Sequence, residues 1–174
     1  QLRRNKKLQE RLARSDSLTG IANRRQFDEH LKAALARSKR MKRPITLLTF
    51  DIDRFKAIND AYGHAVGDAV IIEFSRRISS AVRETDVPAR LGGDEFAVLI
   101  EDGTMAIGQI IANKIIDRMQ TPMHIGDLTL DVTTSIGIGH CALPETDHDI
   151  LVLADRALYE AKAAGRNTAR LLAS

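Results

Sequence analysis

Pro44 opens an apolar run, Ile45-Thr46-Leu47-Leu48-Thr49-Phe50, that ends at two carboxylates, Asp51 and Asp53. Such near-continuous hydrophobicity suits a central strand buried on both faces rather than one with a wet side. The chain around it therefore has to cover both faces of a sheet. Strands and helices alternate along it without an internal repeat, which indicates an α/β or α+β sandwich: a central, mostly antiparallel mixed sheet flanked by helices.

The remaining elements follow from periodicity and punctuation. Residues 1–14 lack Gly and Pro and read as a helix, with Asn5, Leu8 and Leu12 at a, d and a positions of a heptad. A buried Asn at an a position favours a parallel two-stranded coiled coil, so residues 1–15 read as the end of a dimerising stalk, and a solvated, frayed helix fits equally well. The globular domain then covers residues 16–174. Asn23 suits the N-cap of a helix through about residue 39. Val66, Val70, Phe74, Ile78 and Val82 recur every four residues and define a helix over 65–82. Residues 89–91 and 96–100 flank Gly92-Gly93-Asp94-Glu95 and read as a β-hairpin with an acidic tip. Residues 104–120 look helical, and Leu128, Leu130, Val132, Thr134, Ile136 and Ile138 alternate as one half-buried strand. An amphipathic helix around residues 150–161 ends at Gly165, and residues 169–172 form a short closing strand.

Charge decides between classes of partner. The chain has 174 residues, 26 basic and 23 acidic, a formal charge of +3, and 44% hydrophobic residues, which suits one globular domain and excludes a disordered or collagen-like chain. Six of the basic residues stand in residues 1–14 against one acid, so the remainder carries −2. With no Trp and no aromatic residues among the basic ones, no nucleic-acid partner is expected. A second cluster, Arg37, Lys39, Arg40, Lys42 and Arg43, reads as a solvated helix end. No stretch approaches the roughly 18 apolar residues of a membrane span. No signal peptide opens the chain, and the single Cys141 makes neither a disulfide nor a zinc pair. The expected location is cytoplasmic, free or as the cytoplasmic part of a membrane-anchored sensor. A start at Gln1 reads as a piece of a longer protein.

Two acidic clusters sit at strand ends, Asp51/Asp53 and Asp94/Glu95. If their strands are neighbours, the carboxylates converge. Oxygen-only donors of this kind suit Mg²⁺, which prefers a few carboxylates, waters and substrate phosphates. Taken singly, each cluster also fits a solvated strand end.

The residues Arg90-Leu91-Gly92-Gly93-Asp94-Glu95-Phe96 resemble the signature of the GGDEF family of diguanylate cyclases. Companion motifs stand in order: Asp16-Ser17-Leu18-Thr19-Gly20 with Asn23-Arg24-Arg25, then Phe50-Asp51-Ile52-Asp53-Arg54-Phe55-Lys56, Asn59-Asp60, Gly63-His64, Gly67-Asp68 and Ala161-Lys162-Ala163-Ala164-Gly165-Arg166-Asn167. The resemblance covers about residues 16–170.

It implies condensation of two GTP into cyclic di-GMP with release of two pyrophosphates. Asp51, the Ile52 carbonyl and Asp94 would hold Mg²⁺, or Mn²⁺ in its place. Glu95 would serve as a further metal ligand or as base for the 3′-hydroxyl, and Asp94, Glu95 and Asp51 form the implied catalytic set. Gly92 and Gly93 would let the backbone approach the nucleotide. Phe55, Lys56, Lys162 and Arg166 match the phosphate contacts, and Lys162 and Arg166, four apart, would share a helix face or its terminus. Asn59 and Asp68 match the guanine contacts, and His64 a nucleotide contact or a helix cap. Arg83-Glu84-Thr85-Asp86 reproduces the family's R-x-x-D inhibitory site, with Arg83 and Asp86 binding the product. Catalysis would need a two-fold homodimer, with an upstream sensor or receiver domain supplying it. The alternative is a catalytically silent domain that acts as a receptor for cyclic di-GMP or GTP.

Overall fold

The computed structural model describes residues 1–143 and 147–174, with side chains throughout except at residues 7, 10–12, 147 and 148. Two helices, α1 (Leu2–Leu12) and α2 (Arg24–Met41), precede the apolar run, which forms β1 (Ile45–Ile52). Two more helices follow, α3 (Phe55–Tyr62) and α4 (His64–Ala81), then the hairpin β2 (Val87–Gly92) and β3 (Glu95–Glu101). After α5 (Met105–Met119) come β4 (Met123–Ile125), β5 (Leu128–Leu130), β6 (Thr134–Cys141), α6 (Asp147–Ala163) and β7 (Ala169–Ala173).

β1 is the third strand of a five-stranded sheet in the order β2-β3-β1-β6-β7, antiparallel except for the β6–β7 pair. Every residue of β1 is buried except Asp51, which is half-buried. The period-2 alternation of a strand then builds two cores. Leu48, Phe50 and Ile52 point to one face and pack with α4 and α5, where the Phe50, Phe74 and Phe96 rings lie with centroids 5.0–6.1 Å apart. Ile45 and Leu47 point to the other face, among Phe27, Leu31 and Ala34 of α2 and Ile150 and Ala154 of α6. Asp51 shares this second face, so its carboxylate meets α6.

Helix starts are chemically marked. Asn23 caps α2, its side-chain oxygen accepting the Gln26 N–H at 3.0 Å, and Thr104 caps α5 by accepting the Ile107 N–H at 3.2 Å. Gly63, at φ +88°, separates α3 from α4 and lets the chain turn between them.

Two sequence expectations are corrected. The alternating residues 128–138 do not form one strand: β5 pairs with β4 in a separate two-stranded sheet, and β6 crosses into the central sheet. Nor is β6 half-buried, since all eight of its residues are buried. Its Gly137 and Gly139 face α6, where a Cβ on Gly137 would stand 2.1 Å from the Ala154 carbonyl oxygen and 2.3 Å from the Leu158 nitrogen. Glycine here gives helix and sheet contact rather than a wet face. In the basic cluster at the end of α2, Lys39, Arg40 and Lys42 are exposed as a solvated helix end requires, whereas Arg37 donates to Glu101 at 2.9 Å and Arg43 to Asp102 at 3.1 Å.

Candidate active site

The antiparallel register of β1 and β3 places Asp51 directly opposite Glu95, so the two acidic clusters do converge. Asp94 sits in the two-residue turn before Glu95 and is half-buried. Burial pushes the Asp94 carboxyl above the ordinary carboxylate range, and the negative charge of Asp51 pushes it further. Asp51 is raised as well, first by burial, although the ammonium of Lys162 on α6 binds it and opposes the shift. Asp53 does not join this group. It turns toward β6, where its carboxylate accepts from the Thr133 and Ser135 hydroxyls, both at 2.7 Å, and from the Asn167 N–H at 3.0 Å.

The groups around Asp51 are oxygen donors with one cation, the Lys162 ammonium, among them. Burial raises both half-buried carboxylates and the Asp51 charge raises Asp94 further, Glu95 stands exposed beside them, and neither His nor Cys takes part. Among the described residues no three such side chains close into a metal cage. A pair of carboxylates with open positions suits a hard cation that keeps waters and phosphates in its shell, and not one held by protein alone. The residues therefore fit Mg²⁺ or Mn²⁺.

The hairpin tip is held from two sides. Gly92 and Gly93 have φ of +145° and +50°, and a Cβ on either would meet no protein atom, so the space beside them is open. Arg90 donates to the Gly93 carbonyl at 2.9 Å and to Asp16 at 3.1 Å. Asp16 in turn accepts from the Thr19 N–H at 2.8 Å and its hydroxyl at 2.7 Å. Burial raises the Asp16 carboxyl, but these donors and Arg90 outweigh it and leave the group lowered. From the first turn of α2, Arg24 donates to the Leu91 carbonyl at 3.2 Å and lies 3.9 Å from Glu95. The sequence assigned Asp16, Arg24 and Arg90 no roles although all three lie inside the quoted motifs, and it grouped Asp53 with Asp51 as a cation donor, which the hydrogen bonds of Asp53 to Thr133, Ser135 and Asn167 correct.

Of the implied nucleotide contacts, those on α3 and α4 belong to helices packed on the face of β1 opposite Asp51, whereas Lys162 is on α6 beside Asp51. Phe55 and Lys56 open α3, with Phe55 partly buried and Lys56 exposed. Asn59 lies against Gly67, where a Cβ would stand 1.9 Å from its side-chain oxygen, and that buried oxygen has no hydrogen-bond partner. His64 and Asp68 lie one turn apart on α4, both exposed. Gly63, not His64, holds the cap position of α4, which removes the capping role considered for that histidine. Lys162 is on the last turn of α6, but Arg166 lies beyond the helix in a left-handed turn, with φ +105°, +64° and +46° at Gly165, Arg166 and Asn167. The two cations thus share the helix terminus and not a face.

Arg83 and Asp86 lie at the far end of β2, about 20 Å of extended chain from Gly92. The Asp86 side chain is fully buried and accepts from the Arg83 N–H at 2.8 Å and from its guanidinium at 2.9 Å. A cavity of about 360 Å³ adjoins Arg83, lined also by Arg37, Arg43, Thr85 and Glu101.

Residues 13–168 match the family described as diguanylate cyclase, GGDEF domain. Among relatives, the chain is 41% identical over 157 residues to the bifunctional diguanylate cyclase/cyclic di-GMP phosphodiesterase MucR of Pseudomonas aeruginosa, covering 90% of this chain and 23% of MucR. The GGDEF domain of TpbB from P. aeruginosa superposes with a TM-score of 0.84 at 41% identity, over 90% of this chain and 93% of that one. The coiled coil and GGDEF domain of DgcB from Caulobacter crescentus, solved with c-di-GMP, superposes with a TM-score of 0.88 at 30% identity, over 99% and 92%. The chain spans about a fifth to a half of the length of the curated relatives it matches.

Proposed function

The chain belongs to the GGDEF family of diguanylate cyclases, and we propose from that premise that it condenses two GTP into cyclic di-GMP and two pyrophosphates. The observation that carries the reading is the register of β1 and β3, which sets Asp51 opposite Glu95 with Asp94 within reach of both charges. In the reaction each 3′-hydroxyl attacks the α-phosphate of the other GTP, loses its proton, and expels pyrophosphate.

Asp51 and Asp94, with the Ile52 carbonyl, would hold a divalent cation, Mg²⁺ or Mn²⁺. Such a cation, when bound, neutralises phosphate charge and eases deprotonation of the attacking hydroxyl. Glu95, exposed across from Asp51, completes the ligand set or accepts the hydroxyl proton. Lys162 leaves Asp51 for the triphosphate when nucleotide and cation enter, joined by Lys56, the Phe55 N–H and Arg166. The open space beside Gly92 and Gly93 admits the nucleotide against bare backbone. Asn59, with its orphaned side-chain oxygen, pairs with guanine beside the Asp68 carboxylate, which accepts from the N1–H and N2–H₂ edge that adenine lacks. His64, one turn from Asp68, adds a contact to the nucleotide.

One domain holds one GTP, so two copies face each other with two-fold symmetry. Helix α1, with Leu2 and Leu8 exposed, is the start of that dimer as the end of a coiled coil, and an upstream sensor or receiver domain sets its geometry. Product bound at Arg83 and Asp86 holds the domains apart from that arrangement. No helix among the described residues is long and apolar enough to cross a membrane, and the domain works in the cytoplasm where GTP is present.

Incubating the chain with GTP and Mg²⁺ and separating the nucleotides by chromatography tests the reading. Cyclic di-GMP and pyrophosphate in a 1:2 ratio are expected from wild type and neither from Asp94→Asn. Binding of cyclic di-GMP or GTP without turnover, even in a chain fused to a strong parallel coiled coil, would instead identify a receptor.

A further inference from the structure

Asp53 has the look of a second metal carboxylate, two residues after Asp51, yet its side chain faces away from the site. It is 9% exposed, and its acceptors are engaged by the Thr133 hydroxyl, the Ser135 hydroxyl and the Asn167 N–H at 2.7, 2.7 and 3.0 Å. A fourth link, from the Asp53 N–H to the Thr133 carbonyl at 2.9 Å, fixes its own backbone. A carboxylate bonded in this way has little left to offer a cation.

What it holds is unusual. Asn167 follows Arg166, and both are non-glycine residues in the left-handed region, at φ +46° and +64°. Left-handed backbone is unfavourable for residues with a Cβ, more for Arg166 than for Asn167, and persists where surrounding contacts over-determine it. The Asn167 N–H donating to buried Asp53 is one such contact, and the Arg166 N–H donating to the Ala161 carbonyl at 3.2 Å is another. The turn delivers Arg166 to the rim of a cavity of about 480 Å³ that Asp53, Arg54, Thr133 and Asn167 also line. The Asn167 N–H is the bond that ties this turn to the end of β1, beside the bonds that close it on α6.

We propose that Asp53 is a positioning residue: it locks the left-handed Arg166-Asn167 turn so that the Arg166 guanidinium is preset for the β and γ phosphates of the nucleotide. The assignment rests on the nucleotide reading above, which supplies the role of Arg166. Asp53 then acts on triphosphate affinity through Arg166, and has no direct contact with metal or substrate.

Equilibrium titration with 3′-deoxy-GTP, which cannot form the phosphodiester, and with GMP, which lacks the β and γ phosphates, separates the roles. Asp53→Asn keeps size and replaces an acceptor of the Asn167 N–H by an amide. It should weaken 3′-deoxy-GTP binding about tenfold, as should Arg166→Ala, the scale of one charge-assisted contact. GMP binding should stay unchanged in both. The double variant should be no weaker than the weaker single one, because both remove the same contact. Thr133→Val, which deletes one hydrogen bond and keeps the fold, should weaken 3′-deoxy-GTP in the same direction by a smaller factor and settles the matter if Asp53→Asn does not fold. Equal losses for GMP and 3′-deoxy-GTP, multiplicative losses in the double variant, or full affinity in Thr133→Val and Asp53→Asn would overturn the proposal. Wild-type chain that binds neither nucleotide would overturn the nucleotide reading itself.

Discussion

Asp51 and Asp94 are each held above the ordinary carboxylate range, mainly by burial and then, for Asp94, by the charge of its neighbour. A carboxyl whose folded value is raised above its unfolded value opposes folding when ionised. The cost is present above the folded value and is relieved as pH falls through it, or when a cation binds. Asp94→Asn mimics the neutral form, so at neutral pH in metal-free buffer it should raise Tm while abolishing turnover; the gain should shrink toward acid pH, which calorimetry across pH would show. The same shifts place the acid limb of activity above the pH of an ordinary carboxylate, near 4, and added Mg²⁺ should move that limb downward. A limb that ignores metal concentration would separate the titrating groups from the cation. At the far end of β2, Arg83 is bound to a fully buried Asp86. Arg83→Ala should abolish inhibition of turnover by added cyclic di-GMP; inhibition with the wild-type concentration dependence would exclude this pair as the product site. The motif residues were readable in the sequence as a set, but direction was not. Asp51 and Asp53 look equivalent in the chain, and only the pairing of β1 with β6 shows that one faces Lys162 and the other Ser135.

At the level of elements, α6 matters most to the site, because it carries Lys162 and packs on β6 through glycines. Gly137→Ala would drive a methyl into the backbone of Ala154 and Leu158, both closer than 2.4 Å. Neither atom is the end of a flexible side chain, so α6 itself must shift. Loss of about 2–3 kcal/mol of stability is expected on the scale of core overpacking, together with weaker GTP binding through displaced Lys162. Denaturant unfolding and nucleotide titration would check the two halves separately. This is also where the sequence misled. Ser135, Gly137 and Gly139 occupy alternate positions between apolar residues, the pattern of a strand with one wet face. Glycine is silent about what covers it, and here a helix does. The break at residues 131–133 was equally hidden, since the alternation of apolar residues continues across it while the chain passes from one sheet to another. Elements bounded by clear punctuation were legible: Pro44 before β1, Asn23 before α2, and Gly92-Gly93 in the hairpin.

For the whole molecule, the antiparallel sheet brings the acidic hairpin and the C-terminal end of β1 together at one end of the strands, and the residues after α1 are tied to that hairpin. Asn23 joins them: its N–H donates to the Arg14 carbonyl and its side-chain amide to the Ala13 carbonyl, both at 3.0 Å, while its side-chain oxygen caps α2. Arg24, the next residue, grips the hairpin. Asn23 and Arg24 thus connect the residues just after α1 to the backbone of the hairpin that carries Glu95. Removing residues 1–14 should leave 3′-deoxy-GTP binding intact and lower the cyclase rate at a given protein concentration. None of this was readable from residues 1–14 alone, whose heptad is too short to identify a partner.

The most direct measurement is the initial rate of cyclic di-GMP formation against protein concentration at saturating GTP and Mg²⁺. A site completed by a second copy gives a rate that rises faster than linearly and becomes linear when a strong parallel coiled coil is fused ahead of Gln1. A rate proportional to concentration at every dilution of the unfused chain, down to nanomolar protein, would contradict the two-copy active site.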